Sequence, residues 1–575
     1  MRKQTKIVAV ASAAAILAIG ASMTSFAATG WVEEGGQWFF YDKDGVKVEE
    51  EWKKSGDNWY WLDSEENGAM ATDKLIEDGD HKYYVDSTGK MESNTWVKTV
   101  NEDQDDEDNP AEYNYYYMQA NGKAYKSGDN SSTKFRTIDG KKYAFDEDGK
   151  MLYGWVDESG NRLGGTTEWE GATYYLGSWD DGAMKIGWQN VYVYDEKEDE
   201  NRNHWFNFKS NGKKRFFEEG KDGNILEVKI NGKKYGFDKR GVMTYEWTLA
   251  TGGEAERASV SSWKYFNSPE DGARVTKGWF KVVAPTEDNS FGNVIVGAPA
   301  DDNTFSKSKA EDETAKWYYG DGEGNMYSSV IKKIKGKHYA FHEEGWMLSG
   351  LVLMSVKDDG IIEKNWGGID GDKLDALMSG KQGKDFKGLE DYPNASLYYF
   401  GNDEDHDGSM KIGATTVTID GDSHNFVFSK TGGVEAKGKG INGIEDGKYI
   451  YKMGMRLKAS SEDKYMVVYA TGNTSADKVV VNKETNKSCR TDLNTTGKNK
   501  DGDIIKWKGT EKGQWNENYY LLNTSGNIQK TKTAAKDGDD WYFYVKNKNI
   551  VMYTNNKNLS GTVLEGWQKW NTPEK

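Results

Sequence analysis

The chain repeats one short pattern: an aromatic cluster, a turn rich in Asp, Asn and Gly, and a closing Trp. It begins at Trp31, which leads to Trp38-Phe39-Phe40-Tyr41, Gly45 and Trp52. Trp52 leads in turn to Trp59-Tyr60-Trp61, Gly68 and Met70, and a third copy reads Tyr83-Tyr84, Gly89, Met91, Trp96. A unit of roughly 20 residues is too short to bury its own apolar face, so copies have to stack and share a core. Each copy reads as two short strands around an Asn-Gly or Asp-Gly turn, the hairpin signal. With side chains alternating along a strand, Trp38 and Phe40 take one face and Phe39 and Tyr41 the other. One aromatic face is then free to pack on the next hairpin while the other forms a surface groove.

The hairpins group into a longer three-hairpin unit. The first type reads Ile138-Asp139-Gly140-Lys141-Lys142-Tyr143-Ala144-Phe145 with Gly149, Met151 and Gly154-Trp155. It returns at Ile230-Asn231-Gly232 with Tyr235, and at Ile334-Lys335-Gly336 with Tyr339. The second type is Tyr174-Tyr175 with Gly182, Met184 and Gly187-Trp188, matched by Trp263-Lys264-Tyr265 with Gly272 and Gly278-Trp279. The third follows polar insertions, as at Trp205-Phe206-Asn207-Phe208 and Trp317-Tyr318-Tyr319. Acidic stretches at 101–109, 194–202, 284–316 and 357–394 read as solvated loops between hairpins.

Composition agrees with stacked hairpins. There are 22 Trp, 34 Tyr and 20 Phe, yet only 36% of residues are hydrophobic and mean hydropathy is −0.87. Disordered chains lack aromatics, so the low hydropathy points to a thin, extended β structure with a ring-built core. The expected fold is all-β, an elongated β-solenoid of stacked hairpins with polar loop insertions. Residues 28–440 carry the clear repeats. In 441–575 the pattern weakens, and this end reads as diverged or capping repeats, with a small separate β domain as the alternative.

Arg2, Lys3 and Lys6, an apolar run at 7–20, and Ser25-Phe26-Ala27 make residues 1–27 a secretory signal peptide cleaved before Ala28. No second apolar run of about 20 residues follows, so no membrane span is expected after cleavage. Loss of those three cations takes the net charge from −17 to −20, which disfavours nucleic acid as a partner. The single Cys489 has no partner for an internal disulfide.

The series Gly30-Trp31, Gly36-Gln37-Trp38-Phe39-Phe40, Gly45, Trp52, with Gly154-Trp155, Gly187-Trp188 and Gly278-Trp279, resembles the cell-wall-binding (choline-binding) repeats of secreted Gram-positive proteins. That resemblance implies a left-handed β-solenoid and aromatic cages for choline on teichoic acid. A quaternary ammonium donates no hydrogen bond and is held by ring faces, at about 0.5–2 kcal/mol per contact. Several copies depart from this pattern: Lys82, Lys142, Lys234 and His338 stand at a Trp position, and Leu75 and Leu351 replace the closing Trp. The form Asp-Gly-Lys-Lys-Tyr-x-Phe is similar to glucan-binding repeats of streptococcal glucosyltransferases and to receptor-binding repeats of clostridial toxins. These imply a neutral glycan stacked on ring faces.

The expected ligand-binding rings are Trp31, Trp38, Trp52, Trp59, Trp61, Trp96, Trp155, Trp188, Trp263 and Trp279, as cage or platform. No nucleophile motif, phosphate-binding Gly loop or His-Glu-x-x-His occurs, so no catalytic residue and no cofactor is assigned. Asp403-x-Asp405-x-Asp407-Gly408 opens like a calcium loop, but Ala414 stands where the Glu is needed, and no metal is assigned. The reading is an exported, non-enzymatic protein attached to the cell wall or cell surface through many weak sites, whose partner is teichoic-acid choline or a wall or host glycan. Its alternatives are a glycan- or α-glucan-binding adhesin and a wall hydrolase.

Overall fold

The computed structural model describes residues 29–104, 111–128, 132–197, 199–252, 259–292, 314–380, 383–401, 407–471, 479–481, 495–498, 504–507 and 518–557. The expected signal peptide, Cys489, and Asp403 with Asp405 lie outside them. The structure is almost all β, with one α-helix among the described residues, Gly371–Ser379. It divides into two compact units, Met1–Tyr245 with Ser268–Ala273, and Glu246–Asn267 with Arg274–Lys575.

The hairpins form where the turns allow the reversal. In the first-type hairpins the central pair takes two positive φ angles: Asp139 47° and Gly140 79°, Asn231 48° and Gly232 89°, Lys335 46° and Gly336 89°. This is the turn whose twist matches that of paired strands. Strand Gly30–Glu34 pairs with Gln37–Tyr41, with Trp31 opposite Phe40 and Glu33 opposite Trp38. Strand Glu51–Ser55 pairs with Asn58–Asp63, with Trp52 opposite Trp61.

A second turn follows each hairpin and fastens it to its neighbour. The Asp86 carboxylate accepts from the Thr88 and Lys90 amides at 2.8 and 3.0 Å. Asp238 does the same for Arg240 and Val242, and Asp321 for Glu323 and Asn325. Two residues beyond the turn glycine, a backbone N–H reaches the preceding hairpin. In the first unit Met91 donates to Trp59 O, Ala124 to Lys82 O, Met151 to Tyr115 O, Met184 to Lys142 O, Lys214 to Thr173 O and Met243 to Trp205 O, all at 2.7–2.9 Å. In the second, Met347 donates to Trp317 O and Met410 to His338 O. Each methionine side chain in turn lies under the turn glycine of the next hairpin. A Cβ on Gly89 would come 2.7 Å from Met70 Cε, and one on Gly122, Gly182 or Gly272 would meet Met91, Met151 or Met243. The Gly-x-Met spacing is therefore a stacking device, legible as a repeat before its contacts are known.

In the second unit, residues 351–400 break the pattern. Strands Leu351–Val356, Ile362–Gly368 and Ser396–Tyr399 form one sheet, and the helix is capped by Asp370, whose carboxylate accepts from the Lys373 amide at 2.8 Å. Leu374, Leu377, Phe386 and Leu389 bury against Leu353, Leu397 and Phe428. The expected solvated loop at 357–394 is thus a folded element with an aliphatic core, its apolar residues hidden among Lys, Asp and Gly. Further on, one five-stranded sheet joins Gly413–Ile419 and Asp422–Phe428 to Gly443–Glu445, Tyr449–Lys452 and Met455–Arg456. The last sheet has eight strands, and one of its faces buries Val467, Leu521, Phe543 and Tyr553 together.

Candidate functional site: recurring aromatic clusters

The first strand of a hairpin carries a Trp at one recurring place, and the stacking brings three rings together there. The Trp packs on its registered partner across the hairpin and on a ring from the second strand of the next hairpin. Trp31 contacts Phe40 and Tyr60, both at 5.4 Å between centroids. Trp52 contacts Trp61 at 5.3 Å and Tyr83 at 5.1 Å. Trp96 contacts Tyr117 and Tyr143 at 5.2 and 4.9 Å. Trp279 contacts Tyr319 and Tyr339 at 5.1 and 4.9 Å. At Trp188 the registered partner is Asn207, and the rings come from Tyr235 at 4.8 Å and Phe237 at 5.7 Å. In most of these contacts the planes are steeply inclined, the edge-to-face arrangement ring quadrupoles prefer.

These five tryptophans are half-buried, so each keeps part of its indole open to solvent. A methionine of the next hairpin packs beside several of them: Met91 at Trp52, Met151 at Trp96, Met347 at Trp279. The Trp52 indole N–H donates to the Asp78 carboxylate at 3.1 Å, which places an anion at the rim. Burial raises the phenols of Tyr83, Tyr143 and Tyr339 above the ordinary tyrosine range, so these rings stay neutral at physiological pH. The result is a shallow, electron-rich surface of neutral rings, suited to a soft cation or the apolar face of a sugar.

The other expected rings fall in different surroundings. Trp38 lies opposite Glu33, and Trp59, 41% exposed, lies opposite Lys54. Trp61 is buried as the partner of Trp52. Trp155 is closed: the turn Glu168–Gly171 lays Trp169 against it at 6.2 Å, and Phe206 stands at 5.1 Å on another side. Trp263 is fully enclosed with Trp247, Val260, Tyr318 and Met326. Leu75 and Leu351 pair with Tyr84 and Tyr399, and no Trp cluster forms there. The rings supplied by the next hairpin, Tyr60, Tyr83, Tyr143, Tyr235 and Tyr339, are absent from the expected set. Their signal is positional: each stands three or four residues after the glycine of its hairpin turn, Gly56, Gly79, Gly140, Gly232 or Gly336.

Beside Trp155 sits a buried charged network. Lys214 takes the place where most other hairpins have Met, and its ammonium donates to Trp169 O at 2.9 Å and Glu170 O at 3.0 Å. Burial pushes its pKa down to about 7, against the pull of Asp238 and Glu170. Arg240 pairs with Asp195 and Asp238, each at 2.9 Å, and the Asp195 carboxylate also meets His204 at 2.7 Å. Burial favours a neutral His204 and lowers its pKa. Burial also works to raise Asp195, but Arg240 and His204 hold it below its ordinary value.

The family of cell wall binding repeats matches residues 29–47, 50–70, 73–91 and 133–151. The chain carries cell wall binding repeats. Each matched segment spans one hairpin and the turn that follows it, and the last three end on Gly-x-Met, so these repeats are units whose stacking builds ring clusters such as those at Trp31 and Trp52. Among curated proteins, the chain is similar to glucosyltransferase-S of Streptococcus mutans, at 25% identity over 398 residues, 62% of this chain. It spans about a quarter of that relative's length (24%). Solved structures with similarity include the modular autolysin LytC of Streptococcus pneumoniae with a synthetic peptidoglycan ligand, at 18% identity and TM-score 0.28, over 57% of this chain and 56% of that one. Another is CbpF with ipratropium, at 17% identity and TM-score 0.32, over 74% and 99%. The choline-binding domain of CbpL from Streptococcus pneumoniae aligns at 24% identity and TM-score 0.21, over 38% and 97%. At such TM-scores the superpositions carry no argument about site geometry. No helix of the described residues is long and apolar enough to cross a membrane.

Proposed function

We propose that this is an exported, non-enzymatic protein that attaches to a Gram-positive cell wall by holding quaternary ammonium groups, such as choline on teichoic acid, in the half-open clusters at Trp31, Trp52, Trp96, Trp188 and Trp279. The observation that supports this reading is the recurrence of one ring geometry at those places. Each contact with a quaternary ammonium contributes about 0.5–2 kcal/mol per ring, so one cluster binds weakly and several along one polymer bind well. In this reading the hairpins within each unit follow a β-solenoid, residues 28–440 are the wall-binding part, and 441–575 caps it. Net charge of −17 favours a cationic ligand over an anionic one.

A second reading has one specific support: the similarity to glucosyltransferase-S spans 398 residues. Under it the same clusters stack the faces of glucan rings. Titration of the purified protein with choline and with dextran, followed by Trp fluorescence, separates the two. Saturable quenching or blue shift with choline, and elution from a quaternary-amine resin by choline at salt high enough to screen simple ion exchange, is the expected result. A response to dextran alone overturns the choline reading in favour of the glycan one.

A further inference from the structure

The Trp155 cluster has the same parts as the open ones. Trp155 is the first-strand Trp; its registered partner Tyr175 stands at 4.7 Å and the next hairpin's Phe206 at 5.1 Å. Two things differ from the open clusters: the turn Glu168–Gly171 lays Trp169 over the ring, as Val260–Ser262 and Trp263 enclose Trp247, and the residue after the next hairpin's second turn is changed. That residue is Met91 at the Trp52 cluster, Met151 at Trp96, Met243 at Trp188 and Met347 at Trp279; here it is Lys214. The backbone does not change: Lys214 N donates to Thr173 O at 2.7 Å, the same inter-hairpin bond its methionine counterparts make. The aliphatic stem also stays in the methionine place, under Gly241, where a Cβ would lie 2.8 Å from Lys214 Cδ. The end of the side chain is new. Its ammonium lies 5.5 Å from the Trp155 ring and 6.0 Å from Trp169, and two backbone carbonyls take its N–H groups. Lys214 is 1% exposed, and Trp169 and Trp155 are 2% and 9% exposed.

We propose that the Trp155 cluster is a cation site already filled from within: the Lys214 ammonium is its built-in occupant, and together with the turn Glu168–Gly171 it closes to outside ligand a place whose counterparts at Trp52, Trp96, Trp188 and Trp279 are open. A primary ammonium needs acceptors that a quaternary one does not, and the turn Glu168–Gly171 supplies them as the carbonyls of Trp169 and Glu170. The same turn brings Trp169 as an additional ring wall. A Met-to-Lys exchange together with one short capping turn thus converts a ligand place into an internal clasp that ties three consecutive hairpins together. The inference rests on the reading that the open clusters take a cation from outside, and its test is separable from that reading.

Lys214→Ala in the full-length chain removes the three outer carbons and the ammonium, leaving a space that n-propylammonium matches. The expected result is a lowered thermal midpoint that n-propylammonium raises by more than it raises wild type, whereas propan-1-ol and sodium chloride at equal concentration do not. Lys214→Met, which restores the residue of the other clusters, should show no such selective rescue. A folded Lys214→Ala protein, judged by near-ultraviolet circular dichroism, that propylammonium and propanol affect alike overturns the proposal. Should Lys214→Ala fail to fold, reductive methylation of wild type with mapping by mass spectrometry decides. Lys214 should react at least about tenfold more slowly than exposed Lys209, and equal rates overturn the proposal. Choline titration of wild type tests the open clusters independently. Failure there alongside selective rescue here counts against the outside ligand and not against Lys214 as occupant.

Discussion

Trp52 and Trp155 hold the same place in their hairpins, yet one keeps an open face and the other has none. At the open clusters, ring contacts supply the affinity, so losing one ring should weaken a cation at that cluster by about 2- to 30-fold. Trp52→Ala and Trp188→Ala, examined by choline titration of Trp fluorescence, are expected to lose one cluster each and leave the others intact; Trp263→Phe, deep in the second unit's core, should cost stability and leave ligand affinity unchanged. Lys214 gives a second prediction, with a definite sign. Its folded pKa of about 7 lies below the unfolded value of 10.5, so between those values the unfolded chain binds more protons. Stability from this group therefore rises as pH climbs from about 7 toward 10.5 and is flat below 7. Other lysines and tyrosines titrate in that window, so the quantity to measure is the difference in unfolding free energy between wild type and Lys214→Met. That difference should move in favour of wild type across the window, by up to several kcal/mol (about 1.4 per pKa unit). No change between pH 7 and 10 would show that Lys214 ionises normally.

At the scale of the hairpin, turn glycines fall into two kinds that look alike in sequence. Gly140 needs its positive φ of 79°, but a Cβ there would meet nothing within 4 Å. Gly89, at φ 77°, would in addition drive its Cβ into Met70. Gly140→Ala should therefore cost about 1–2 kcal/mol for backbone strain alone. Gly89→Ala should cost about 1–3 kcal/mol more through overpacking, and Met70→Ala in the same chain should return part of that second term. Denaturant unfolding of the three variants checks this, and additive effects of Gly89→Ala and Met70→Ala would refute the contact.

Much of this layer was legible in the sequence. Asn231-Gly232 marks its turn, Gly-x-Met marks the stacking step, and Leu75 and Leu351 mark hairpins without a Trp cluster. Closure of Trp155 and Trp263 was not legible, because the segments that cover them, Glu168–Gly171 and Val260–Ser262, sit in connections outside the repeat. Lys214 was hidden for a related reason: a charged residue at a methionine position looks like ordinary surface variation until its ammonium is seen between two indoles. The helix Gly371–Ser379 was missed because its buried Leu374, Leu377 and Met378 lie in a stretch rich in Lys, Asp and Gly.

At the scale of the molecule, the two kinds of β architecture should respond differently to damage. In the first unit the inter-hairpin bonds link a hairpin to one close by in sequence, as Met91 to Trp59 and Met151 to Tyr115 do, and the Met–Gly contacts do the same. Stability of such an array is a sum of local terms, and a weak hairpin loosens its neighbours first. The eight-stranded sheet near the C-terminus is built otherwise. Strand Tyr465–Ala470 pairs with Tyr519–Asn523, which pairs with Asn549–Thr554, which pairs with Tyr542–Lys546, so strands far apart in sequence share one core. Hydrogen exchange distinguishes the two. Gly89→Ala should speed exchange in the strands from Glu51–Ser55 to Tyr113–Met118 and leave Leu226–Ile230 at wild-type rates. Val467→Ala, which trims a buried side chain packed with Leu521, Phe543 and Val545 in the C-terminal sheet, should speed exchange in Tyr519–Asn523 and Tyr542–Lys546 together. Uniform acceleration across the first unit on Gly89→Ala would mean that its hairpins unfold as one block, and stacking by nearest neighbours would then be the wrong description.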